Sequence, residues 1–264
     1  MTLTDAWKSE GRAAVVARLK ERRACLLQTF AKRLNFTDGL EAMYAYADAF
    51  DDILRDLNAL TAQTVYPSET SPLPTVVAVG GFGRKELAPY SDIDLLFLLE
   101  SADDAKAQER IAFMVQILWD MGLKVGQAVR TVDDCIDKAR TEMTIRTNLL
   151  EARFVDGNRG LFDDFNARFT ALCHETDGRD FVMAKVEERR LRYQRMGQSK
   201  YMLEPNVKEG RGGLRDLHLM FWLIKYLFGI TNMPDLVSSN ILSRQACAAF
   251  LKAHRFLTTV RCHL

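Results

Sequence analysis

The sequence predicts an α+β fold, with a small mixed-sheet unit set between an N-terminal and a C-terminal helical region. Three observations carry that expectation. Short β-branched or wholly apolar runs, bounded by glycine or polar turns, fall between residues 75 and 131. Apolar residues recur at helical spacing before and after that stretch. A segment holding Pro67, Pro72 and Pro74 among small polar residues separates the first helical region from the first strand.

Taken in order, residues 1–64 carry Val15, Leu19, Leu26, Leu27 and Phe30, then Met43, Tyr46, Ala47, Phe50, Leu54 and Leu57, among many charges, which is the pattern of amphipathic helices. Residues 66–74 read as a linker. Residues 75–79 form a first strand ended by a glycine turn, and residues 91–99 a second that becomes wholly apolar after its first polar positions. Both have the composition of central strands buried on two faces. A helix over 105–121, with Ile111, Val115, Leu118 and Trp119 on one side, precedes a third strand over 123–131. From Val132 onward helical patterns dominate, broken at 156–158, at Gly178 and by the glycine-bearing loop 205–213. The expected organisation is therefore 1–72 helical with linker, 73–157 mixed sheet, and 158–264 helical.

With 48% hydrophobic residues in 264, the chain can bury a sizeable core without covalent staples. Lys and Arg (36) nearly cancel Asp and Glu (35), so no whole-molecule field draws it to nucleic acid or anionic lipid, and a polyanion site must be local. Neither partner is expected. The five cysteines are dispersed and include no C-x-x-C pair, which excludes a zinc ribbon and argues for reduced thiols. Charged residues begin within the first eight positions, and the most apolar later stretch, 219–230, is broken by Lys225; a cytoplasmic protein without a membrane span is expected. The four histidines show neither H-x-x-x-H nor H-D pairing and read as structural.

The chemistry concentrates in residues 80–96, G-G-F-G-R-K-E-L-A-P-Y-S-D-I-D-L-L. Side chains at i and i+2 of a strand share a face, so Asp92 and Asp94 stand together while Ile93 points into the opposite layer. Crowded, partly desolvated carboxylates call for a compensating cation, and an oxygen-only cluster suits Mg²⁺. Gly80 and Gly81, lacking Cβ atoms, let backbone N–H groups approach an anion such as a triphosphate. Arg84 reads either as a donor to phosphate oxygens or as a clamp on Glu86 or the aspartates. The loop 205–216, with Gly210, Gly212, Gly213, Lys208, Arg211 and Arg215, either folds over phosphates or merely turns the chain into the following helix. The basic run Lys185, Arg189, Arg190, Arg192 and Arg195, interrupted by Glu187 and Glu188, reads as a solvated helix face.

Gly-Gly, a short spacer and Ser-Asp-x-Asp on an apolar strand resemble the signature of the DNA polymerase β-type nucleotidyltransferase superfamily. The longer motif over 80–96 resembles, more narrowly, the nucleotidyltransferase region of the GlnD family of bifunctional PII uridylyltransferase/uridylyl-removing enzymes. Further blocks support this: Trp119-Asp-x-Gly-Leu-Lys-Val-Gly126, Val129-Arg-Thr131, Thr147-Asn-Leu-Leu-Glu-Ala-Arg153, Lys185-Val-Glu-Glu188 and Glu204-Pro-Asn-Val-Lys-Glu-Gly-Arg-Gly-Gly-Leu-Arg-Asp216. The resemblance implies a nucleotidyltransferase palm that moves UMP from UTP to a tyrosine of the PII signalling protein with release of pyrophosphate. Asp92 and Asp94 would bind Mg²⁺, and Gly80, Gly81, Arg84, Ser91, Lys208 and Arg215 would bind the nucleotide.

Two departures from the family pattern bear on this. The family continues into an HD hydrolase domain and paired ACT domains, whereas this chain ends at Leu264, so neither UMP removal nor glutamine sensing is expected of it. Many superfamily members also carry a third carboxylate on the strand after the helix, where this chain reads Lys124-Val-Gly-Gln-Ala-Val-Arg130; Glu151, Glu142 or a two-carboxylate site are the alternatives. Two rival functions follow, an AMP-transferring relative and a catalytically silent nucleotide-binding module.

Overall fold

The computed structural model describes residues 2–67, 73–197 and 206–264. The expected linker falls largely on residues outside these, as does the start of the loop expected over 205–213. The chain divides into two compact units: Met1–Phe36 with Glu41–Phe169, and Thr37–Leu40 with Thr170–Leu264. Among the described residues, no helix is long and apolar enough to cross a membrane.

The first unit opens with helices α1 (Leu3–Glu10), α2 (Arg12–Leu34) and α3 (Gly39–Thr64), the last shared at its first turn with the second unit. A reciprocal capping box starts α1: the Asp5 amide donates to Thr2 Oγ1 at 3.1 Å and the Thr2 amide to Asp5 Oδ2 at 2.8 Å. Helix α3 buries Phe50, Ile53, Leu54 and Leu57 completely, the i, i+3, i+4, i+7 stripe of an amphipathic helix.

Strands β1 (Thr75–Ala78), β2 (Ile93–Leu99), β3 (Val125–Thr131) and β4 (Arg153–Asp156) form one mixed sheet in the order β3-β2-β1-β4. The fold is thus α+β, and the two strands expected at the centre are the central ones. Their β-branched and apolar residues are buried throughout, apart from half-buried Asp94. β1 pairs antiparallel with β2 and β4, and β2 pairs parallel with β3, with Asp94 in register with Gly126. Such a parallel pair requires a crossover, supplied by α5 (Ala105–Asp120), which Asp104 caps through the Ala107 amide at 2.9 Å. Ile111, Val115 and Leu118 are buried as expected, but Trp119 is 52% exposed. It lies next to the last residue of α5, off the stripe that Met114, Val115, Ile117 and Leu118 bury.

The fourth strand was not foreseen. It has only four residues and follows α6 (Val132–Thr141) and α7 (Met143–Leu149). It pairs with β1 across an irregularity at Val76/Val77, so it shows no strand period of its own.

Helix α8 (Arg159–Glu175) runs from the first unit into the second, which holds α9 (Gly178–Gly197), α10 (Leu214–Phe228), α11 (Met233–Ser238) and α12 (Arg244–His263). Phe181 stacks on Tyr226 with ring centroids 3.9 Å apart, and Ile224, Met233, Leu236, Cys247 and Phe250 form a core. Gly229, left-handed at φ 65°, ends α10 by returning its N–H to Lys225.

Candidate active site

The turn after β1 is a single helical turn, α4 (Gly80–Gly83), rather than a bare loop. Its backbone conformation depends on glycine where it begins, because Gly80 has φ 59°. Lys85 (φ 63°) and Tyr90 (φ 64°) are also left-handed, an unfavourable state for non-glycine residues, so strain collects between the glycine turn and the aspartates. Phe82 anchors the turn below, buried edge-to-face on Phe50 at 5.9 Å.

Two arginines fix the turn from either side. Arg153 on β4 donates to the Gly83 and Phe82 carbonyls, each at 3.2 Å, and is itself held by Asp51 of α3 at 2.5 and 3.1 Å. Arg84 pairs with Glu86 at 3.1 Å and with Glu151. Burial opposes the Arg84 charge, but the two carboxylates outweigh it and hold the guanidinium above its ordinary pKa. The ion pair with Glu86 is one of the roles the sequence left open for Arg84. Sequence reading missed Arg153 as a turn-holding residue, since its role depends on a strand that was not foreseen.

Asp92 is exposed and lies immediately before β2, Ile93 is buried, and Asp94 is half-buried, an alternation consistent with the two acids sharing a face. The surroundings of Asp94 are specific. A Cβ built on Gly80 would stand 2.8 Å from its Oδ2, and one built on Gly126 would stand 2.5 Å from its Oδ1. Real Cβ atoms essentially never approach closer than 3.0 Å. The carboxylate is therefore seated between two glycines on the strands or turns flanking β2, and the Val79 amide donates to the Asp94 carbonyl at 3.1 Å. Gly81 is adjacent, with room: a Cβ there would meet only Glu86 O at 3.6 Å and Arg84 Nη2 at 3.9 Å. Ser91, half-buried, donates its amide to Ala88 O at 3.1 Å. The structure thus brings Gly80 and Asp94 into contact, with Asp92, Ser91, Gly81 and Arg84 on the same short segment.

An oxygen-only donor set in which side-chain volume has been withheld on both sides fits a hard divalent cation such as Mg²⁺. The two alternative third acids are otherwise engaged: Glu151 with Arg84, and Glu142 with Lys138 at 3.9 Å on the surface. The β3 position facing Asp94 is Gly126, so no acid stands there.

Lys208 and Arg215 belong to the second unit. There the Asn206 side chain accepts from the Lys208 and Glu209 amides at 3.0 and 2.8 Å, and Arg215 pairs with Glu209 at 3.3 Å while lying over Trp222. Asp216 receives Gly212 N–H at 2.7 Å, the Tyr193 hydroxyl, Arg192, and Arg189 at 3.3 Å. Arg189 and Arg192, read from sequence as a solvated face, are in part committed to this knot. Lys185 departs further from that reading, being buried with its ammonium 5.2 Å from the Trp222 ring.

A family model described as "Nucleotidyltransferase domain" matches residues 69–151, and one described as "GlnD PII-uridylyltransferase" matches residues 180–264. The bifunctional uridylyltransferase/uridylyl-removing enzyme of Rhodospirillum rubrum is 42% identical over 97% of this chain and 29% of its own length. Proteins of the same name from Azospirillum brasilense and a Bradyrhizobium species are 46% and 43% identical, each over 81% of this chain and 23% of their own length. The chain thus spans less than a third of the curated relatives it matches.

Proposed function

The chain carries a nucleotidyltransferase domain together with a GlnD PII-uridylyltransferase region, and from that premise we propose that it is a Mg²⁺-dependent uridylyltransferase moving UMP from UTP to a tyrosine of PII. The observation that carries the proposal is the seat of the Asp94 carboxylate against Gly80, two positions after exposed Asp92.

In this reading residues 73–157 are the catalytic palm. Asp92 and Asp94 hold the ion, which when bound neutralises charge at the α-phosphate and on the departing pyrophosphate. Gly80 and Gly81 admit phosphate oxygens to backbone N–H groups, and Ser91 adds a hydroxyl next to the acids. Arg84, whose Nη2 faces Gly81, is a donor for phosphate oxygens at the same turn, and Lys208 and Arg215 are the further phosphate-binding candidates that the family resemblance implies. The tyrosine oxygen bonds to the α-phosphorus as the α–β bridging bond breaks, pyrophosphate leaves, and the phenolic proton passes to solvent. No covalent enzyme intermediate is required. UTP and PII rest on the likeness to the GlnD PII-uridylyltransferase family, since base selectivity needs only a few hydrogen bonds, and a cytoplasmic setting rests on the free, dispersed cysteines.

The test is incubation of the chain with PII, Mg²⁺ and each labelled nucleoside triphosphate in turn. Label from UTP alone on a PII tyrosine is expected, and preference for ATP would assign an AMP-transferring relative instead. A second reading, a nucleotide-binding module without catalysis, is favoured by Gly126 where a third acid would face Asp94. Tight UTP binding with no transfer in a single turnover would select it.

A further inference from the structure

The β3 residue in register with Asp94 has no role in the reading above beyond not being an acid. We infer that Gly126 is a positioning residue for Asp94, its missing side chain leaving the space in which the carboxylate sits. This rests on the proposed function.

Three features of the structure support it. A Cβ on Gly126 would lie 2.5 Å from Asp94 Oδ1 and 3.7 Å from its Cγ, and no other heavy atom lies within 4 Å of it apart from its own chain neighbours. A Cβ at this position therefore encroaches, among the described residues, on that carboxylate. Second, the atom it meets is the end of a side chain and not backbone, so the strand can persist while the carboxylate turns away. Third, Gly126 shows no left-handed φ, unlike Gly80, so alanine can adopt its backbone without strain. Gly80 leaves room for Oδ2 and Gly126 for Oδ1, so the carboxylate lies in space that two missing side chains open. A side chain at 126 would require the Asp94 carboxylate to shift from its observed position.

The experiment compares the wild-type chain with Gly126→Ala, Asp94→Ala, Asp94→Ala/Gly126→Ala and, as a control, Gln127→Ala, whose exposed side chain points to the other face of β3. Label transfer to PII, Mn²⁺ binding by electron paramagnetic resonance, and thermal midpoints are measured on each. Displacing a reacting group by about an ångström costs on the order of 10²-fold in rate, so Gly126→Ala is expected to lose about that much kcat, with weakened Mn²⁺ binding and nearly unchanged KM for UTP, while Gln127→Ala behaves as wild type. Wild-type turnover and Mn²⁺ binding in Gly126→Ala overturn the inference. If Gly126→Ala loses stability, the double variant decides: a loss seen only where Asp94 is present supports the contact, and an equal loss in both backgrounds overturns it. Undiminished transfer by Asp94→Ala would instead refute the proposed function.

Discussion

The two glycine-rich turns of the chain look alike in sequence and differ in what the glycines do. In Gly80-Gly81-Phe82-Gly83, Gly83 lets the backbone of residue 151 approach, with a built Cβ only 2.0 Å from Glu151 O, while Gly80 faces Asp94 and Gly81 faces open space with ordinary contacts. In Gly210-Arg211-Gly212-Gly213 the glycines serve the loop itself: Cβ atoms at 210 and 213 would lie 2.5 and 2.6 Å from Asn206 O and Val207 O. The acids beside the turns differ in the same way. Asp216 is enclosed by two guanidiniums, a phenol and an amide, and the Asp94 carboxylate has a glycine on either side. A glycine cluster is therefore not a ligand cradle by composition alone; what occupies the vacated volume, a carboxylate at Gly80 and loop carbonyls at Gly210 and Gly213, distinguishes the two turns.

That distinction can be broken by substitution, and the largest effect belongs to the acid. Asp94→Ala is expected to lower transfer by several kcal/mol of barrier, on the order of 10³-fold, with the fold retained by circular dichroism. Arg84→Ala removes the cation between two buried carboxylates and should cost about 3–5 kcal/mol in denaturant unfolding. A loss of UTP affinity without loss of stability would instead make Arg84 a ligand contact only. Gly213→Ala should cost about 1–3 kcal/mol through crowding of the loop carbonyls. Gly81→Ala sharpens the contrast: it should leave stability unchanged or raised by about 0.4–1 kcal/mol, yet raise the KM for UTP.

Asp216 gives a pH-dependent form of the comparison. Burial pushes its carboxyl upward, but the Tyr193 hydroxyl, the Gly212 amide, Arg192 and Arg189 outweigh that and hold it below its ordinary 3.8. A depressed folded-state pKa means its stabilising contribution is full above the unfolded value and is lost as pH falls through the folded one. Asp216→Asn should therefore be less stable than wild type near neutrality, with the difference shrinking below about pH 4 in urea titrations.

Much of the first unit was legible in the sequence because strand composition, a glycine turn and a crossover helix are local signals. The carboxylate pair was legible for the same reason, since i and i+2 share a face in any strand. What escaped was set by pairing between distant segments. β4 shows no period of its own in four residues, so the turn-holding role of Arg153 was hidden with it. Glu151 could be named as an acid near the site, but only the fold pairs it with Arg84. Gly126 stood in a segment read for a missing carboxylate, and its contact with Asp94 emerges from the parallel register of β2 and β3. The run Arg189 to Arg192 looked solvated because the acid that partly binds it lies 24 or more positions away.

The most direct measurement is single-turnover transfer from UTP labelled at the α-phosphate to PII, with wild type, Asp92→Asn and Asp94→Asn matched for folding and assayed across a Mg²⁺ titration. The account predicts label on a PII tyrosine from wild type only when the divalent ion is present, and a loss on the order of 10³-fold in both variants. Wild-type transfer in excess chelator, or by either variant at saturating Mg²⁺, would contradict it.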